Sequence, residues 1–93
     1  MARNQERVPA PKDQWVQLTN DDVTEISFQV LHGEVEIRRD GAVEPAASAR
    51  GWIYSGGTGE RVPLNEISRA NQGARVWAKG RRASGSIVLV DHA

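Results

Sequence analysis

The chain has 93 residues, with 12 basic and 12 acidic side chains and hence no formal net charge, and a length just short of the usual domain size leaves room for one core. Hydrophobic residues at 39% and charged residues at 26% describe an ordinary globular composition, and the neutral total makes nucleic acid an unexpected partner. The absence of cysteine removes disulfides, thiolate zinc sites and cysteine nucleophiles together.

Residues 1 to 13, MARNQERVPAPKD, hold two prolines, several charges and little apolar bulk. Such a segment does not bury enough surface to fix itself, and Pro9 and Pro11 favour extended backbone, so it reads as an N-terminal arm preceding a domain over 14 to 93. Its first residues, Met1 to Arg7, are too polar for the apolar stretch of a signal peptide. If it is an arm, deleting residues 2 to 13 leaves the domain folded.

From Trp15 the hydrophobic pattern has period two, the mark of half-buried antiparallel strands. Trp15 to Thr19 is the first candidate. Ile26, Phe28 and Val30 then alternate with Glu25, Ser27 and Gln29, which places three apolar side chains on one face. His32-Gly33 reads as a turn into Glu34 to Arg39, so residues 23 to 39 are expected to form a hairpin, closed by Asp40-Gly41. Residues 42 to 50, with Pro45 and several alanines, read as a loop, followed by a strand over Arg50 to Tyr54 and a glycine-rich tip over Ser55 to Gly59. Glu60 to Leu64 is a further strand whose Pro63 belongs at an edge or a bulge. Leu64 and Ile67 suggest one helical turn over Asn65 to Ser68. Ala74 to Lys79 and Ser86 to Val90 close the chain as a second hairpin around Gly80 to Gly85. Ile87 to Val90 is also the longest apolar run, far below the roughly 20 residues of a membrane-spanning helix.

Six or seven short strands at this spacing predict an all-β fold, a small antiparallel β-sandwich or jelly-roll-like barrel with an extended N-terminal arm. The aromatic residues Trp15, Phe28, Trp52, Tyr54 and Trp77 are expected in its core.

The chemistry available for catalysis is thin. His32 and His92 are the only histidines, one beside a probable turn glycine and one next to the last residue, so both read as solvated and no catalytic residue is assigned. Asp21-Asp22 and Asp91-His92 offer too few converging ligands for a metal, and Ser55 to Gly59 lacks the lysine and long helix of a phosphate loop. No cofactor or metal is expected.

Charge is segregated along the chain. Asp21, Asp22, Glu25, Glu34 and Glu36 form an acidic stretch, whereas Arg69, Arg75, Lys79, Arg81 and Arg82 form a basic one. Adjacent strands with cross-strand pairs, complementary flanks that meet between subunits, and a basic patch on nucleic acid all fit that pattern. The second reading makes Arg3, Arg7, Pro9 and Pro11 of the arm, with Asp21, Asp22, Glu25, Arg75, Lys79, Arg81 and Arg82, the candidate interface of a homo-oligomer.

Trp15 to Thr19, Ile26 to Val30, the Pro45-Ala46-Ala47 loop, Leu64-Asn65-Glu66-Ile67, Arg75-Val76-Trp77-Ala78 and the ending Val88 to Ala93 together resemble small β-sandwich virion proteins of tailed bacteriophages. The likeness covers about residues 14 to 93 and is one of layout. It implies a non-enzymatic structural protein of the virion, assembled in the host bacterial cytoplasm. The first expectation is a capsid decoration or cement protein that binds the major capsid protein or another virion protein as a homo-oligomer, with a trimer as one candidate state. The alternative is a tail or tail-fibre accessory module that binds a host-surface glycan or protein. A glycan site would expose Trp52, Tyr54 or Trp77, whereas a cement role would bury them; a small hydrolase or cupin-like enzyme is disfavoured by the shortage of histidine and of clustered carboxylates.

Overall fold

The computed structural model describes residues 2 to 64, 67 and 73 to 93. The strands among them are β1 (Arg3–Ala10), β2 (Trp15–Gln17), β3 (Glu25–His32), β4 (Glu34–Asp40), β5 (Trp52–Ser55), β6 (Gly59–Pro63), β7 (Arg75–Gly80) and β8 (Ser86–His92). They form two four-stranded sheets, β1-β8-β3-β6 and β2-β7-β4-β5, in which every pairing is antiparallel. The protein is a small β-sandwich with the strand order of a jelly roll.

That order corrects both expected hairpins. β3 and β4 lie in different sheets, and so do β7 and β8; among the described residues the only strands consecutive in sequence that also pair are β4 and β5. At the first corner Gly33 takes φ +85°, and a Cβ there would fall 2.2 Å from Ser86 Oγ. The sequence pattern of a two-residue hairpin and that of a sheet-to-sheet corner are the same at this point, because both need a residue in the left-handed region. Ser86 locks the corner by accepting from Glu34 N and donating to Glu34 O, each at 3.1 Å.

The core lies between the sheets. Val8, Ala10, Ile26, Phe28, Val30, Val88 and Val90 face it from one side and Val35, Ile37, Val76 and Ala78 from the other, with Leu18 and Leu64 filling the ends. The alternation read at Ile26, Phe28 and Val30 is thus the core face of β3. Phe28 meets Tyr54 edge to face with ring centroids 5.0 Å apart, an aromatic contact that ties the second sheet's edge strand β5 to β3.

The segment expected as an arm is extended, and it belongs to the sandwich: β1 runs along β8 from Arg3 opposite His92 to Ala10 opposite Ser86, burying Val8 and Ala10. Alternation explains it, since Val8 and Ala10 share one face while Arg7 and Pro9 take the other, and Glu6, on the Val8 side, stays exposed. Pro63 lies in β6, an edge strand, where its missing N–H costs no ladder bond. The helical turn expected over Asn65 to Ser68 falls outside the described residues apart from Ile67, which is buried and donates to Leu64 O at 3.0 Å.

Candidate interaction surface

The two sheets differ in what covers their outer faces. On β2-β7-β4-β5 the outward residues include Trp15, Lys79 and Glu36 in one cross-strand row and Gln17, Trp77 and Arg38 in the next. Trp15 and Trp77 are nevertheless buried, at 2% and 6% exposure. The segment Gly41 to Gly51 between β4 and β5 folds across them as a strap. The Trp15 indole donates to Ala46 O and the Trp77 indole to Gly41 O, both at 2.9 Å. Lys79 Nζ donates to Ala47 O at 2.9 Å and Ala49 O at 3.1 Å while lying 5.0 Å from the Trp15 ring centroid and 3.5 Å from Glu36 Oε2. Glu36 in turn accepts from Gly51 N at 3.1 Å, and Arg38 donates to Arg50 O at 2.8 Å. Pro45 is buried within the strap. A second small core therefore sits outside the sandwich, and the two tryptophans expected between the sheets belong to it. Trp52 corrects the expectation outright: it is 64% exposed on edge strand β5.

The outer face of β1-β8-β3-β6 carries no such strap among the described residues. Arg61, Ser27 and Asp91 form one row across β6, β3 and β8. Gly59, Gln29, Leu89 and Arg7 form the next, and Pro9, Ile87 and His32 a third. The first two rows, apart from Arg7, floor a shallow groove of about 660 Å³, which Gln5 also lines. Gln5 has φ +48° at a β-bulge where the β1–β8 register shifts between Arg3 and Glu6; bulges re-aim side chains in this way at the rims of sites. Exposed Leu31 and half-buried Ile87 and Leu89 add apolar area to a face whose remaining groups are hydrogen-bond donors and acceptors. Such a surface can hold another molecule by contact and hydrogen bonding.

The segregated charges meet within the chain. Arg75 pairs with Asp22 at 2.9 Å and Asp21 at 3.4 Å, Arg81 with Glu34 at 2.9 Å, Arg82 with Glu34 at 3.8 Å, and Lys79 with Glu36. The cause is topological: β4 pairs with β7, so Glu34 and Glu36 lie beside Lys79 and the arginines that follow it, while Val23 N donates to Ala74 O at 2.8 Å and brings Asp21 and Asp22 to the start of β7. The exposed pairs contribute about 0 to 1 kcal/mol each; Lys79–Glu36, whose side chains are 10% and 12% exposed, is largely desolvated and stands apart from them. The Asp22 amide donating to Asp21, reinforced by Arg75, holds the Asp21 carboxyl below the usual carboxylate range. At Asp40 desolvation favours the neutral acid, but hydrogen bonds from Arg38 and Gly41 N outweigh it and the carboxyl is again lowered.

The other candidate residues divide by position. Arg3 is mostly buried and paired with Glu6 at 2.6 Å. Arg7 and Pro9 lie on the uncovered face, whereas Pro11 is exposed and its carbonyl accepts from Gly80 N at 3.0 Å. Glu25 is exposed at the start of β3, opposite Pro63, and Arg69 lies outside the described residues. Sequence reading missed Gln5, Ser27, Gln29, Arg61, Leu89 and Asp91. Period-two alternation marks the outward residues of every strand alike, and only the position of the strap distinguishes the covered set from the open one.

His32 is exposed, as expected, whereas His92 is buried. His92 Nε2 accepts from Asn20 N at 3.3 Å and Nδ1 lies 2.9 Å from Ala93 O, partners that place the proton on Nδ1 and make the ring a structural tie. No group of three or more His, Asp or Glu among the described residues is placed to hold a metal ion. No protein-family model, curated protein or solved structure matches this chain.

Proposed function

We propose that the protein is a non-enzymatic structural component of a bacteriophage particle, a capsid decoration protein that docks on the shell through the outer face of β1-β8-β3-β6. The observation that carries this reading is the asymmetry of the sandwich. One outer face is sealed by the chain's own strap, while the other presents Leu31, Ile87 and Leu89 among Arg7, Gln29, Arg61 and Asp91. A small domain with one uncovered, partly apolar sheet face is suited to adhesion. Binding to the assembled lattice in preference to free capsid subunits would stabilise the shell by mass action, with no turnover. The major capsid protein is the proposed partner, and the virion, assembled in the bacterial cytoplasm, the proposed location.

The test is occupancy on particles. Leu89→Asp in the middle of the open face and Arg7→Glu at its β1 edge introduce acid there and should reduce the copies bound per particle, while Glu44→Lys on the strap should not. Equal occupancy for all three would overturn the assignment of this face.

A second reading has one observation in its favour. Trp52 stands 64% exposed on β5, and jelly rolls include lectin domains as well as capsid proteins. A tail or fibre module that stacks a host-surface sugar on Trp52 would show quenching of tryptophan fluorescence by host polysaccharide, abolished by Trp52→Ala. Unchanged emission would remove this reading.

A further inference from the structure

The sandwich has four strand edges, and three of them are blunted. β1 carries Arg3, Glu6, Arg7 and Pro9, and β6 carries Glu60, Arg61 and Pro63. β2 spans only Trp15 to Gln17. Charges, prolines and shortness are the usual means of preventing edge-to-edge pairing. β5 has none of the first two: from Gly51 to Gly59 the chain holds no charged residue and no proline. Its Trp52 and Ile53 are exposed at 64% and 56%.

Backbone directions along β5 narrow what the edge can accept. Ser55 N donates to Thr58 Oγ1 at 3.0 Å, and Ser55 O accepts from Thr58 N at 3.0 Å, so both groups of Ser55 point away from β4. Gly56 N bonds Gly33 O at 3.0 Å, on the β4 side. In an antiparallel ladder these directions alternate residue by residue, so Trp52 and Tyr54 bond β4 while Ile53 turns its N–H and C=O outward. Gly51 N is already held by Glu36, and Ser55 by Thr58. Among the described residues, Ile53 is therefore the residue of β5 left with both backbone groups open to a new strand.

We infer that β5 is an edge-to-edge contact between two copies of this chain, related by a two-fold axis beside Ile53. The occupant follows from self-complementarity. A residue with an outward N–H and an outward C=O bonds reciprocally to its own equivalent when two antiparallel copies meet, and no other register on this edge does so without breaking the Thr58 or Glu36 bonds. The same register sets Ile53 against Ile53 of the second copy on the outer face. On the core side it sets Trp52, which shares its face with Ile37, beside Tyr54 of the second copy. The exposed indole then continues the core instead of facing water, and the sheets join as β2-β7-β4-β5 run twice through the axis. An uncharged edge is also what an isologous contact requires, because any charge at the axis would meet itself. The inference rests on the fold and not on the particle reading, and its test needs no particle.

Ile53→Cys is the direct experiment, since the chain has no cysteine of its own. A hydrogen-bonded antiparallel pair sets Cα atoms about 5.5 Å apart, inside the roughly 4.4 to 6.8 Å span of a disulfide. Mild oxidation should convert the variant to a covalent dimer, whereas Ser55→Cys, opposite Gly51 in this register, should remain uncrosslinked. In sedimentation the unaltered protein should run at twice its chain mass, and Ile53→Lys, at an exposed position, should weaken the dimer by about tenfold or more in dissociation constant while melting as a folded domain. A monomer in sedimentation with no crosslink at position 53, or a dimer that survives Ile53→Lys unchanged, would overturn the inference.

Discussion

The strap over the outer face of β2-β7-β4-β5 hangs on Lys79, and replacing that residue tests the second core quantitatively. Lys79→Met keeps most of the aliphatic stem and removes the ammonium. Four interactions go with it: the hydrogen bonds to Ala47 O and Ala49 O, the contact with the Trp15 ring and the ion pair with Glu36. The lysine and glutamate side chains are 10% and 12% exposed. Leaving such a carboxylate without its cation costs about 3 to 5 kcal/mol when burial is complete. Glu36 keeps Gly51 N at 3.1 Å and has Arg81 at 4.0 Å, and with this residual solvation and support the expected loss is about 2 to 3 kcal/mol.

For a chain of this length that loss lowers the melting temperature by roughly 8 to 24 °C, at about 4 to 8 °C per kcal/mol. Urea denaturation followed by tryptophan emission is the assay, because Trp15 and Trp77 lie beneath the strap. A cycle with Glu36→Gln isolates the pair: the double variant should lose clearly less than the sum of the two single ones. If Lys79→Met costs under about 0.5 kcal/mol, a usual value for surface substitutions, or if the two losses simply add, the strap is not anchored at Lys79 and the account of the second core fails.

Trp77→Ala should cost about 3 to 5 kcal/mol by denaturant melting, because the ring is buried under the strap and its indole holds Gly41 O; a loss near zero would place the ring in solvent. Gly33→Ala should cost about 1 to 3 kcal/mol, since it adds left-handed strain and a clash with Ser86 Oγ, and unchanged stability would refute the corner. Deleting residues 2 to 13 should abolish the cooperative melt, since it removes β1 with Val8 and Ala10; a folded truncated protein would make β1 dispensable. Asp21 and Asp40 both titrate below the ordinary carboxylate value of about 3.9 in the folded chain. Their stabilisation is therefore complete above that pH and is lost as the pH falls through the lowered values, whereas raised Tyr54, desolvated and beside Glu60, weakens the fold as the pH climbs past 10.0. A melting temperature flat below pH 4 and above pH 10 would contradict both.

The strand positions of this fold are legible in the sequence, and the connections between them are not. Ile26, Phe28 and Val30 announce one face of β3 because side chains alternate whatever the strand pairs with. Pairing itself is decided by the far end of the chain: β3 sits between β6 and β8, so contacts across more than half the sequence determine its neighbours. The turn residues at 32 to 33 and 80 to 85 are satisfied equally by a hairpin or by a corner. β1 was harder still to read, since an edge strand needs only Val8 and Ala10 on its inward face, and its prolines and charges, which read as an arm, are the features that keep such an edge from pairing.

The same logic explains why the candidate surface escaped a reading by charge. Neutralisation is local to β7 and its flanks: Arg75 pairs with Asp21 and Asp22 from the segment between β2 and β3, and Arg81 and Arg82, just past β7, pair with Glu34 of β4. The charges that remain without an ion pair among the described residues include Arg7, Arg61 and Asp91, which are scattered in the sequence and come together on one face through the β1-β8-β3-β6 order. Segregation along the chain thus reports which strands are neighbours, and the surface able to meet a partner is assembled from residues that form no run at all. An interface built from Arg7, Arg61 and Asp91 should tolerate charge reversal at Arg82, which is spent on Glu34, and fail on reversal at Arg7. A partner-binding assay in which the two reversals act equally would return the segregated stretches to the interface.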